Sequence, residues 1–123
     1  MIKLKVMLLE DDTDLCDLIK GMLVSRGYSV FAFNRHTDAL QCLESGQKFD
    51  IIFVDLVDEQ EGVVGHKVIN AAKNLCEPIT FVMSGSAGDD ESMNQGIDFL
   101  LEKPFSLRDL ENSLSKLQDF CLL

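Results

Sequence analysis

At 123 residues the chain has room for one compact domain, and its 46 % hydrophobic content supports a core without disulfides or a structural metal. Twenty-one acidic against eleven basic residues give a formal net charge of −10, which repels a phosphate backbone and excludes a basic nucleic-acid-binding stripe. Cys16, Cys42, Cys76 and Cys121 lack the CxxC spacing of a zinc or redox site, no stretch approaches the roughly 20 apolar residues of a membrane helix, and no signal peptide opens the chain. Reduced thiols and a cytoplasmic location are expected.

Strand-like apolar runs alternate with helical patterns from end to end. Residues 4–9 form a short run suited to a strand buried on both faces. Leu15, Leu18, Ile19, Met22 and Leu23 then follow helical spacing over residues 14–26, with Gly27 as the stop. Residues 29–33 read as a second strand, and Thr37 suits the N-cap of a second helix that carries Ala39, Leu40 and Leu43 and ends at Gly46. Ile51, Ile52, Phe53 and Val54 make the third strand. After an irregular loop, residues 66–75 predict a helix with Val68, Ile69 and Ala72 inward. Residues 79–83 read as the fourth strand, residues 91–95 as a short helix, and Phe99, Leu100 and Leu101 as the fifth strand. Ser106 and Asp109 resemble a capping box, with Asp in the place of the usual Glu or Gln, opening a last helix with Leu107, Leu110, Leu114 and Leu117 at 3-4-3 spacing.

This alternation predicts an α/β, doubly wound sheet of five parallel strands. In such sheets the chemistry gathers at the carboxyl ends of the strands. The first strand ends in Glu10, Asp11 and Asp12, the third in Asp55, the fourth in Ser84, and the fifth just before Lys103 and Pro104. Parallel strands bring Asp11, Asp55, Ser84 and Lys103 to one sheet edge. Taken singly, each has a plain explanation: a helix cap, a turn residue, a flexible Ser84-Gly85-Ser86 loop, a solvated lysine. All four at successive strand ends are harder to reach by chance. Crowded carboxylates repel one another unless a cation joins them, and oxygen-only ligands suit a hard ion such as Mg²⁺. A carboxylate beside Mg²⁺ can attack phosphorus, with an ammonium and a hydroxyl neutralising and orienting the incoming phosphoryl group.

Four segments carry a family resemblance: Leu9-Glu10-Asp11-Asp12, Phe53-Val54-Asp55-Leu56, Val82-Met83-Ser84-Gly85 and Leu101-Glu102-Lys103-Pro104-Phe105. In order and spacing they resemble the receiver domain of bacterial response regulators, over essentially the whole of residues 1–123 as a single domain. The resemblance implies a flavodoxin-like (βα)5 fold with strand order 2-1-3-4-5. It implies a switch rather than an enzyme, with Asp55 as the phosphoacceptor for a histidine kinase or phosphotransfer protein. It assigns Mg²⁺ to Asp11 directly, Glu10 through water, Asp55, and the backbone carbonyl of Val57. Ser84 would hydrogen-bond the phosphoryl group, Lys103 would form its ion pair, and a cis bond would join Lys103 to Pro104. The surface of the fourth helix, fifth strand and fifth helix becomes the signalling face toward a downstream protein or fused output domain, and a candidate homodimer interface.

Two departures stand out. The loop after Asp55 lacks the family's Pro and adds Asp58, Glu59 and Glu61, so that either Gly62 or Gly65 could fill the usual turn position, and the added charge beside the site could weaken phosphoryl binding or strengthen Mg²⁺ binding. The position three before Lys103, aromatic in most receivers, is Leu100. Strand alternation sends Phe99 to the opposite face unless a bulge intervenes, so a non-aromatic switch is expected. These departures favour the alternative of a phosphorylation-independent interaction module on the same fold, which the retained Glu10, Asp11, Asp55, Ser84 and Lys103 oppose. A phosphatase with an Asp nucleophile would need a cap that 123 residues scarcely accommodate. His36 and His66 have no paired acid in the sequence and read as surface residues. The chain reads equally as a stand-alone regulator and as a piece of a longer one.

Overall fold

The computed structural model describes residues 3–85 and 96–122. Its main sheet contains β1 (Lys5–Leu9), β2 (Ser29–Phe33), β3 (Ile51–Asp55), β6 (Ile79–Ser84) and β7 (Phe99–Glu102), all parallel, in the order β2-β1-β3-β6-β7. Counting these five alone, the order is the expected 2-1-3-4-5. After β3 the chain adds a small antiparallel pair, β4 (Val57–Asp58) and β5 (Gly62–Val63). The irregular loop is thus a hairpin. Helices α1 (Thr13–Ser25), α2 (His36–Glu44), α3 (Gly65–Leu75) and α4 (Leu107–Cys121) complete the described elements. The short helix expected at residues 91–95 lies outside the described residues.

The central strand β3 is buried along its whole length, as a near-continuous apolar run in a parallel sheet requires. Its side chains alternate between two cores. Ile51 and Phe53 join Val6, Leu8, Phe81, Ile19, Leu23, Leu110 and Leu114 on the α1/α4 face. Ile52 and Val54 join Met7, Leu9, Val82, Ala39, Val68 and Ala72 on the α2/α3 face. On the first face Phe53 and Phe81 stack with centroids 3.9 Å apart, Phe81 and Phe99 follow at 5.7 Å, and Phe120 of α4 meets Phe99 edge-on at 5.6 Å. This aromatic row ties three strands to the last helix, each offset or T-shaped pair contributing about 0.5–1.5 kcal/mol beyond its buried area.

Phe99 therefore belongs to the core, and strand parity turns Leu100 to the other face, where it is 40 % exposed. No bulge intervenes in the β6–β7 register.

Helix starts divide into local and non-local cases. Asp12 caps α1, its Oδ1 accepting from the amides of Asp14 and Leu15. Ser106 and Asp109 form the full reciprocal capping box of α4. Thr37 does not cap α2: the helix begins at His36 after an extended Arg35 that makes no side-chain cap. Its start is fixed by tertiary contacts described below. The four cysteines are unpaired, and no described helix is long and apolar enough to cross a membrane.

Candidate functional site

The acidic triplet after β1 separates into three jobs. Glu10 closes the strand: its amide donates to Phe33 O at 3.0 Å, and its carbonyl accepts from Asn34 Nδ2 at 3.0 Å. These backbone bonds aim a fully buried carboxyl group into the sheet edge. Asp11 turns toward the β4–β5 hairpin. Asp12 caps α1, and its amide donates to Glu10 Oε2 at 3.2 Å.

At the end of β3, Asp55 is buried, and its Oδ1 accepts from the Val57 amide at 3.3 Å. Lys103, just past β7 at the cis Lys103–Pro104 bond, spans the two buried acids. Its Nζ lies 2.7 Å from Glu10 Oε1 and 3.1 Å from Asp55 Oδ2. The Lys103 amide donates to Ser84 O at 2.7 Å, which fixes the end of β7 against the end of β6. Ser84 itself is buried there.

The structure thus brings Glu10, Asp11, Asp55, Ser84 and Lys103 to the same sheet edge. Oxygens of Glu10, Asp11 and Asp55 all lie within 4.8 Å of one another. Val57 is close by. Because the Val64 amide donates to Leu56 O, the next pair, Val57 with Val63, is the non-hydrogen-bonded pair of the hairpin. Its amide and carbonyl therefore point away from β5, toward the side on which the amide meets Asp55.

Electrostatics follow from burial and crowding. Burial is the main force pushing Glu10 up, to about 8; Lys103 opposes it, while Asp55 and Asp11 add to it. Burial also raises Asp55, against the pull of Glu10, Lys103 and the Val57 amide. For Lys103, desolvation works downward but Glu10 and Asp55 outweigh it, so the ammonium is held more firmly than usual. Burial disfavours ionised Asp11, yet the Glu59 amide and its acidic neighbours' hydrogen bonds keep it below the ordinary range. Two buried carboxyl groups share one ammonium, and a third stands ready and ionised. This oxygen-only set fits a hard divalent cation.

Gly65, not Gly62, is the glycine the site needs. A Cβ on Gly65 would lie 2.6 Å from Asp55 O and from Leu56 Cα. Gly62, at φ 82°, instead serves the hairpin turn.

Two of the loop's extra acids, Asp58 and Glu61, are engaged through their side chains, and Glu59 through its amide. Asp58 is buried and accepts from the amides of Gln60 and Glu61, at 2.8 and 3.1 Å, closing the turn. Glu61 reaches Arg35 Nη2 at 3.1 Å and His36 Nδ1 at 2.9 Å, the latter a close approach without hydrogen-bond alignment. The Glu59 amide donates to Asp11 Oδ2 at 3.1 Å. The reading of His36 as an unpaired surface residue is therefore corrected: it is buried beneath the hairpin against Glu61. Nothing local in the sequence marks this pair, since its members lie 25 positions apart; the hint was the Val57 and Val63 flanks around an Asp-led turn.

Fold and site together define a doubly wound α/β protein with an acidic centre and a lysine at its switch-point edge. The sequence profile of the response regulator receiver domain matches residues 6–115, and the chain belongs to that family, the receiver domains of two-component signalling. It is 30 % identical over 115 residues to the transcriptional regulatory protein CrdR of Helicobacter pylori, covering 91 % of this chain and 54 % of CrdR. The chain thus spans about half the length of that relative. Among solved structures it is similar to a response regulator receiver protein from Sinorhizobium medicae, with TM-score 0.78, 25 % identity and 95 % of each chain covered. It also resembles the response regulator TrrA of Thermotoga maritima, solved in complex with Mg²⁺–BeF, with TM-score 0.72, 19 % identity, and 94 % and 99 % of the two chains covered.

Proposed function

We propose that Asp55 accepts a phosphoryl group from the phosphohistidine of a histidine kinase or phosphotransfer protein, in a Mg²⁺-dependent reaction. The observation that carries the reading is Lys103 Nζ bridging Glu10 and Asp55 inside a cluster of three carboxylates at the strand ends. Asp55, through an oxygen now paired with Lys103, attacks phosphorus; the new O–P bond forms as the donor's N–P bond breaks and its imidazole leaves. Lys103 stays within reach of the acceptor and neutralises charge on the transferred group. The Ser84 hydroxyl, held at the end of β6, hydrogen-bonds that group. Glu10, Asp11, Asp55 and the Val57 carbonyl would hold the metal. Bound Mg²⁺ supplies charge neutralisation for the phosphoryl oxygens.

In this reading the chain is a switch that assists its own phosphorylation and dephosphorylation. Residues 1–123 act as one receiver unit in the cytoplasm. Its partners are the phosphodonor protein and a downstream protein or fused output domain. The expected signalling face of the fourth helix, fifth strand and fifth helix, of which β7 and α4 are described and the fourth helix lies outside the described residues, carries the signal and is a candidate homodimer surface.

Intact-mass measurement with a small-molecule phosphodonor and Mg²⁺ tests the assignment. One phosphoryl group is expected on the wild type and none on Asp55→Asn. Equal labelling of both proteins would sink it.

A further inference from the structure

Receiver chemistry accounts for the strand-end residues but leaves Arg35, His36, Glu59 and Glu61 without a part. Their contacts form a chain that runs into the site. Arg35, just before α2, donates to the Glu61 carboxylate at 3.1 Å, and the buried His36 ring packs against the same carboxylate. Asp58 closes the turn between, accepting from the amides of Gln60 and Glu61, so residues 58–61 form one hydrogen-bonded turn. From that turn the Glu59 amide donates to Asp11 Oδ2. Asp11 is only partly buried, and among the described residues no other hydrogen bond to its side chain matches this one in sequence reach, across 48 positions.

We infer that Arg35 and Glu61 are positioning residues which, through the hydrogen-bonded 58–61 turn and the Glu59 amide, orient the Asp11 carboxylate for the divalent cation. The inference rests on the reading of Glu10, Asp11 and Asp55 as the cation site. A carboxylate with one oxygen fixed by an amide presents its other oxygen in a restricted direction, which lowers the ordering cost when the ion binds. Outer-shell partners of this kind typically contribute about ten- to a hundredfold to metal affinity. Here the effect passes through one more link, so about three- to tenfold is expected.

Charge and positioning must be separated, because removing any carboxylate near a divalent cation weakens its binding through the field alone. Glu61→Gln and Glu61→Ala remove the same charge and leave Arg35 equally unneutralised. Only the glutamine keeps an oxygen that can accept from Arg35. The partner side chains are well exposed (52 % for Arg35, 36 % for Glu61), so neither variant threatens the fold.

The experiment is titration of Mg²⁺ alone, followed by heat, on the wild type, Asp11→Asn, Glu61→Gln and Glu61→Ala, with hydrogen exchange of the Glu59 amide read in parallel. Expected are an Mg²⁺ dissociation constant for Glu61→Ala about three- to tenfold above that of Glu61→Gln, and faster Glu59 exchange in the alanine variant only. Equal affinities in the two variants, with wild-type binding lost in Asp11→Asn, would overturn the inference and leave the cation site standing. Binding that is absent in the wild type, or unchanged in Asp11→Asn, would overturn the cation reading itself, and the inference with it.

Discussion

Gly65 joins the fold to the site, and Gly65→Ala tests that join. Its backbone needs no positive φ, so an alanine there meets no torsional penalty; the demand is for space. The added Cβ would lie 2.6 Å from both Asp55 O and Leu56 Cα, about 0.8 Å inside the 3.4 Å at which ordinary contact begins. Both obstacles are backbone atoms in a segment pinned on two sides. Leu56 N donates to Met83 O, and Leu56 O accepts from the amides of Val64 and Gly65. Relief therefore requires β3 and α3 to part, and overpacking of this kind costs about 1–3 kcal/mol. With backbone on both sides the upper half of that range applies. A better helix residue returns at most about 1 kcal/mol, leaving a net loss of about 2 kcal/mol. With an m-value of about 1.5–2 kcal/mol/M, the urea midpoint falls by about 1 M. Because the displaced atom is the carbonyl of the acceptor residue, labelling by a small phosphodonor should also slow by about ten- to a hundredfold. Gly21→Ala is the matched control: it lies exposed within α1 with nothing within 4 Å of its Cβ, and it should raise stability by about 1 kcal/mol. If Gly65→Ala unfolds at the wild-type urea concentration and labels at the wild-type rate, the close approach does not constrain Asp55 and the reasoning is wrong.

Further outcomes follow from the site's charges. Glu10, whose pKa is pushed from 4.5 to about 8 mainly by burial, keeps its proton in the folded state over a range where the unfolded chain has lost it. The stability this contributes is full below about 4.5 and is lost as pH rises through about 8, and the raised Asp55 acts in the same direction. In EDTA the urea midpoint should therefore be higher at pH 5.5 than at pH 8, and a midpoint that rises over this interval would contradict the assignment. Mg²⁺ affinity, read by calorimetry, should climb over the same interval as the carboxyl groups release to solvent the protons that compete with the ion; a flat profile would count against it. Lys103→Met leaves Glu10 and Asp55 without their ammonium. It should cost about 3 kcal/mol at pH 8 in EDTA and visibly less at pH 5.5, where protonation relieves the pair; an equal loss at both pH values would mean that packing, not charge, is what Lys103 contributes. Ser106→Ala removes one half of the α4 capping box and should cost about 1 kcal/mol in urea denaturation, with no change in labelling of Asp55.

What the sequence made legible was what depends on neighbours along the chain. Buried strands announce themselves as short apolar runs, and parallel pairing then dictates that Glu10, Asp11, Asp55, Ser84 and Lys103 meet at one edge. The capping box at Ser106 is three residues wide and was readable for the same reason. Strand parity alone separated Phe99 from Leu100. Thr37 failed as a cap because the start of α2 is decided elsewhere: His36 is drawn into the first turn to lie under Glu61, and the helix begins without a side-chain cap. The hairpin after Asp55 escaped notice because its two strands are two residues each, too short for any periodic signal, and its anchors are single contacts over 25 or more positions.

Those anchors also change the meaning of the acidic excess. As bare letters, Asp58, Glu59 and Glu61 add three negative charges beside Asp55 and would oppose an incoming phosphoryl group. In the fold, Asp58 accepts from two turn amides and Glu61 pairs with the Arg35 guanidinium, while Glu59 is exposed and reaches the site through its amide. Within the cluster itself, Glu10, Asp11 and Asp55 against Lys103 leave about two negative charges when all are ionised. A divalent cation matches that count, whereas a lone lysine leaves it uncompensated, which is why burial forces Glu10 to keep its proton in the metal-free state. Besides their charge, the loop residues thus reach the site through the backbone, and the Glu59 amide on Asp11 is the direct instance.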